Sequence, residues 1–231
     1  MKNSKIRFLG TGLALVLSLA GSAFGAERNW KEWMQNYYRT PQPDQVAPAV
    51  IALSQAGAFK GAGQPATAIG FLSEVFSRNP ERVAGWLESF RNLPERDRRM
   101  VTAALWYSGL AEGDRELRQA AAGTVDPELR ADLDSLLASA PVAIAQSPVL
   151  SESSLNLQWG AFLATGDSRH IVQALAALGS SETGLSAAAR TSLAKKAASH
   201  PRVYEICQAE LNRQPADVRE QLRTALAGIQ Q

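Results

Sequence analysis

Leu155 to Gly179 reads LNLQWGAFLATGDSRHIVQALAALG, and its apolar residues recur at helical rather than alternating intervals. Leu155, Trp159, Phe162 and Leu163 stand at i, i+4, i+7 and i+8, and Ile171, Val172, Leu175 and Leu178 make a second stripe after Gly166-Asp167. A glycine there supplies a left-handed stop and the aspartate an N-cap, so the stretch predicts two helices joined by a tight turn. The pattern extends outward in both directions. Val83, Trp86, Leu87 and Phe90, then Leu129, Leu133, Leu136 and Leu137, and finally Val218, Leu222, Ala225, Leu226 and Ile229 are further stripes of the same kind. No segment shows a period of two, alanine is abundant, and the fold expected is all-α.

Proline marks where helices begin. Asn79-Pro80, Leu93-Pro94, Asp126-Pro127, His200-Pro201 and Gln214-Pro215 each place it where the missing N–H is one that a first helical turn leaves unpaired. Gly113-Asp114 is expected to end one helix and cap the next, as Gly166-Asp167 does. Two internal echoes suggest repeated hairpins. Trp106-x3-Leu110-Ala111-x-Gly113-Asp114 matches Trp159-x3-Leu163-Ala164-x-Gly166-Asp167, and Pro80 and Pro94 are spaced like Pro201 and Pro215. On the first echo, Trp106 and Trp159 should hold equivalent buried positions. The offsets are not multiples of one unit, which argues against a regular array. Thr40–Pro48 should be extended, Ala56–Gln64 a flexible Gly-rich loop, and Ser139–Ser151 an apolar connector packed on the body. The expectation is a single domain over 26–231, built of short helical hairpins in an irregular array or a two-lobed bundle, with possible lobes 26–138 and 152–231.

Before this domain, MKNSKIR is basic, Phe8–Ala20 is uncharged, and Ala23-Phe24-Gly25 offers small residues at the positions a signal peptidase reads. Residues 1–25 read as a signal peptide cut before Ala26, which predicts a periplasmic or secreted protein with no membrane span after cleavage. The chain carries 24 basic and 22 acidic residues; cleavage removes three of the basic ones and no acid, leaving a net charge of −1. A near-neutral chain lacks the clustered lysine and arginine that nucleic acid or anionic lipid would need, and no nucleic-acid partner is expected.

Catalytic signatures are sparse. Two histidines and one cysteine, with no HExxH or CxxC, give no expectation of a metal site, a cofactor or a catalytic residue. His200 and Cys207 could suggest a base and a thiol nucleophile, but seven residues of helix separate them by about 10 Å. Cys207 is read as core. Gly57–Gly63 has three glycines and Lys60 without the order of a phosphate-binding loop. Glu74, Asp114, Glu152 and Asp167 could supply an acid–base pair that spacing alone does not specify. Arg96, Arg98 and Arg99 read as a solvated face.

The aromatic cluster at the head of the mature chain, RNWKEWMQNYYRT, is more informative. Trp30, Trp33, Met34 and Tyr37 share a helical face, which predicts a first helix docked on the bundle; Trp30, Trp33, Tyr37 and Tyr38 are also the candidate partner-binding residues, since such rings anchor interfaces. LNLQWGAFLATGDSRHIVQALAALG, HPRVYEICQAELNRQP and WKEWMQNYYRTPQPDQV together resemble a group of exported all-helical bacterial proteins with no assigned activity. The resemblance implies export and a helical fold, and no site residue. The function expected is non-enzymatic protein–protein interaction in the periplasm or outside the cell. An envelope hydrolase with an unrecognised carboxylate pair is the alternative.

Overall fold

Proline and side-chain caps set the helix starts. The structure, a computed structural model, describes residues 29–125, 127–140, 142–227 and 229, apart from the side chains at 128, 129 and 132. The signal peptide expected over 1–25 and the Leu129 member of its stripe lie outside this description. Among the described residues there are twelve α-helices and no strand: α1 Trp30–Asn36, α2 Val46–Gln55, α3 Gln64–Arg78, α4 Pro80–Phe90, α5 Glu95–Tyr107, α6 Ala111–Gly123, α7 Pro127–Leu137, α8 Glu152–Thr165, α9 Ser168–Ala176, α10 Thr183–Ser199, α11 Pro201–Glu210 and α12 Ala216–Leu226. The domain is all-α. Pro80, Pro127 and Pro201 open their helices, and Pro94 and Pro215 hold the N-cap position.

Two of the expected segments differ. Thr40–Pro48 is not extended throughout, because a 3-10 turn at Pro43–Gln45 leads into α2 with Pro48 inside its first turn, where an absent N–H is harmless. The Gly57–Gly63 loop is anchored rather than flexible, since a 3-10 turn at Ala58–Lys60 sinks Phe59 into the core at 5% exposure.

The two echoes part company. Gly166 is a left-handed stop (φ 67°) and the Asp167 side chain caps α9 by accepting from the Arg169 N–H at 2.9 Å. Gly113 instead lies inside α6. The stop between α5 and α6 is Gly109 (φ 71°), three residues after Trp106, whereas Trp159 stands seven before its stop and in the middle of α8. The tryptophans are therefore both buried but not equivalent. The proline echo has a structural counterpart. Each proline pair opens a helix, ends it and caps the next, and in each case the long helix before the pair packs against the helix after it: α3 on α5, α10 on α12.

The centre of the molecule is the crossing of α3 and α8, where the backbones touch through glycine. A Cβ on Gly160 would fall 1.9 Å from the Thr67 carbonyl oxygen, and one on Gly70 would fall 2.1 Å from that of Leu157. Phe71, Leu72, Phe76, Trp159, Phe162 and Leu163 fill the space around this contact. The connector before α8 packs down as its apolar residues imply, with Ile144 2% exposed in a 3-10 turn at Ile144–Gln146. Gln158 holds it, donating from Nε2 to the carbonyls of Ile144 (2.6 Å) and Ser147 (2.9 Å).

Candidate functional site

The aromatic segment Trp30–Tyr38 docks on its own body. Trp33 donates from Nε1 to Gln42 Oε1 at 3.2 Å, and its ring meets Tyr37 edge-on, with centroids 5.1 Å apart. Tyr37 in turn packs edge-on against Phe71 at 5.1 Å and is 4% exposed, so it belongs to the core. Tyr38 lies on Phe162 at 5.5 Å and covers Gly166, where a Cβ would collide with its ring. Trp30 and Trp33 are half-buried and meet each other edge-on at 5.8 Å. Of the four candidate residues, these two tryptophans and Tyr38 keep surface available to another molecule.

The scattered carboxylates are brought together only in part. Glu74 from α3 and Asp167 at the head of α9 influence one another across His170. Asp114 pairs with Arg118 at 2.8 Å on the exposed side of α6, and Glu152 sits in the first turn of α8. His170 is 1% exposed. Its Nδ1 lies 2.8 Å from Gln158 Oε1. Because Gln158 Nε2 is already committed to two carbonyls, Oε1 is the acceptor and Nδ1 carries the proton. Nε2 then points its lone pair toward Glu74 Oε1, 4.0 Å away. Burial pushes the imidazole down to about 4 and raises the Glu74 carboxyl, while hydrogen bonds from Arg169 hold Asp167 below the usual carboxylate range. The cluster is a brace: it joins α8, α9 and the connector through a neutral imidazole, with Glu74 of α3 packed beside it without a hydrogen bond.

That arrangement has a pH signature. An unfolded histidine titrates near 6.5 and His170 at about 4, so unfolding takes up a proton between those values. The His170 contribution is complete above pH 6.5 and is lost as pH falls toward 4, a change of about 3 kcal/mol. Glu74, shifted upward, acts in the opposite sense. Urea unfolding from pH 7 to 4 should show a shallower pH dependence in His170→Gln than in the natural chain. Parallel curves would refute a buried neutral imidazole.

Neither member of the His200–Cys207 pair is placed for nucleophilic chemistry. The Cys207 thiol is 0% exposed, and burial pushes its pKa up to about 12. Among the described residues no group of three or more histidine, cysteine or carboxylate side chains could hold a metal ion, and no helix is long and apolar enough to cross a membrane.

The principal candidate surface lies elsewhere, over the α4–α5–α6–α7 array. A groove of about 630 Å³ has Ala84, Leu87, Glu88 and Arg91 along one wall and Glu112, Arg115, Glu116 and Gln119 along the other. Each set is spaced i, i+3, i+4, i+7, one complete helical face. Arg98, Val101 and Thr102 of α5 form the floor. A second hollow of about 440 Å³ shares Arg98, Thr102, Glu116 and Gln119 with the first and runs on to Leu133 and Leu136 of α7. Glu88 and Arg91 pair with each other, whereas Arg98, Arg115, Glu112 and Glu116 make no ion pair among the described residues. Arg98 is exposed, as expected for a solvated face, and it lines this groove. Its neighbour Asp97 turns inward at 2% exposure and accepts from the Ser54 hydroxyl at 2.5 Å. The signal for the groove was present as two polar-rich helical stripes, but only the fold shows that they face each other.

Comparison with protein families, with curated proteins and with solved structures finds no match to this chain.

Proposed function

We propose that this is an exported, non-enzymatic protein that binds a partner protein, and that the α4–α7 groove receives an amphipathic helix of that partner. The observation that carries the reading is the pair of facing stripes. Two helix faces, 84/87/88/91 and 112/115/116/119, flank a floor helix and leave between them a trough that one further helix would fill. Leu87, with Leu133 and Leu136 farther along, supplies apolar contacts, and a rim of both signs suits a ligand helix whose apolar stripe is bordered by lysine or arginine on one side and by glutamate or aspartate on the other. Trp30 and Trp33 extend the candidate surface. Export rests on the basic-apolar-small pattern of residues 1–25.

A photo-crosslinking side chain at Thr102, which lines both hollows, tests this in cells expressing the full chain. The expected result is one defined adduct that is missing when the same group is placed at Glu220 on α12 and that is lost on Leu87→Glu. Protein purified from the envelope or medium should begin at Ala26. Identical adducts from both positions, or an adduct unaffected by Leu87→Glu, would overturn the groove reading. A first residue of Met1 would overturn export. The hydrolase alternative would have to work through Glu74 and Asp167, and it is favoured only if Glu74→Gln abolishes a measured hydrolysis without loss of fold.

A further inference from the structure

The joint between α10 and α11 gathers the positive charges of Lys196 and Arg39, neither of which has an ion-pair partner among the described residues. His200 stands there as the N-cap residue of α11, 4% exposed, and neither of its ring nitrogens makes a hydrogen bond among the described residues. Its ring nitrogens are not among the buried polar atoms that lack a partner, so they reach the molecular surface, where a ligand can meet them. No side chain caps α11, so the positive end of that helix dipole lies at the same corner. One turn back on α10, Lys196 lays its ammonium over the Trp159 ring at 5.9 Å from the centroid and has no carboxylate partner among the described residues. Arg39 reaches in from the other side. Its Nε donates to Tyr38 Oη at 3.2 Å, and its guanidinium lies 5.7 Å from the centre of that ring, again with no carboxylate. Tyr38 packs on Phe162, three residues along α8 from Trp159, so both cations lie over rings held against the same stretch of α8.

We propose that Lys196, His200 and Arg39 form a binding site for a small oxyanion, a phosphate or carboxylate group, at the α10–α11 joint. The ammonium, the guanidinium and a protonated imidazole are all donors, and an oxyanion accepts from each. The cations also act on one another. Arg39 and Lys196 both hold the His200 imidazole below its usual range, after burial itself, and Lys195 adds to the effect of burial in lowering Lys196. A bound anion would relieve this repulsion and raise the His200 pKa. The site is independent of the groove over α4–α7.

The chain has two histidines, which makes the test direct. Imidazole NMR signals of the mature protein are followed during titration with sodium phosphate, and separately with sodium acetate, at an ionic strength held constant with sodium chloride. His200 should respond saturably and its pKa should rise by about one unit, while His170, enclosed by Gln158, stays fixed. A response to phosphate alone assigns a phosphate site, to acetate alone a carboxylate site, and to both an oxyanion site without selectivity. Lys196→Met should weaken the response at least tenfold, and Arg39→Met does the same job if the first variant does not fold; Lys60→Met should leave it unchanged. A His200 response no larger than that to chloride, or one that survives both substitutions, overturns the proposal.

Discussion

Gly160→Ala is expected to destabilise the protein by on the order of 4 kcal/mol or more, which is a large part of the roughly 5–15 kcal/mol that holds a domain folded. The added methyl would stand 1.9 Å from the Thr67 carbonyl oxygen and 2.7 Å from the Phe71 nitrogen. Both are backbone atoms inside α3, tied by that helix's own hydrogen bonds, and no rotamer change can move them. The helices would have to separate, opening the packing of Phe71, Trp159 and Phe162 at the same time. Gly70→Ala should behave alike, because its methyl would meet the Leu157 carbonyl at 2.1 Å. Gly85→Ala provides the contrast. It is an exposed position within α4 with nothing within 4 Å of a new Cβ, and there alanine should stabilise by up to about 1 kcal/mol. Urea unfolding of the three variants measures this directly. If Gly160→Ala lay within 1 kcal/mol of the natural chain, the close crossing would be wrong.

Trp159→Ala should cost about 3–5 kcal/mol, and Trp106→Ala measurably less. Trp159 is 2% exposed, donates from Nε1 to the Ser192 hydroxyl at 3.2 Å, and lies in the continuous core with Phe162 and Leu163. Its removal leaves a cavity and takes away the N–H that the Ser192 hydroxyl accepts, although that hydroxyl still donates to the Ala189 carbonyl at 3.1 Å. Trp106 is 7% exposed, lies in the last turn of α5, and borders a surface hollow of about 410 Å³ beside Gly109 and Leu110, into which neighbouring side chains can relax. Equal losses in thermal unfolding would restore the equivalence that the internal echo suggested.

Those two tryptophans show what could be read in advance. Helical spacing located the stripes, and the prolines at 80, 94, 201 and 215 marked real helix starts, because both signals depend on local backbone geometry alone. The identical Trp–Leu–Ala–Gly–Asp spacing misled because Ser108-Gly109 had already ended α5, and a glycine at 113 is required there for another reason: a Cβ would strike the Leu105 carbonyl at 2.4 Å. Close approach between distant segments leaves little mark on sequence, and Gly70 and Gly160 looked like ordinary glycines within apolar runs. The candidate sites were less legible still. Arg98 read as a solvated charge with no hint of the groove it lines, and Glu74 is separated from Gln158 and His170 along the chain by whole helices. The aromatic head was readable as a stripe, but which of its rings faced inward was decided by Phe71 and Phe162.

The way α6 is attached has a thermodynamic corollary. It packs chiefly on α5 and α7 and buries only Gly113, Leu117 and Ala121, whereas α3 and α8 each bury eight residues. Free energy of opening follows such differences, so α6 and α7 form a subglobal unit that can exchange its amides well below the threshold for complete unfolding. One wall of the groove belongs to that unit. Any occupant that orders the wall is opposed by the entropy of doing so, and its residence on the protein is set as much by the α6–α7 closing equilibrium as by the contacts it makes.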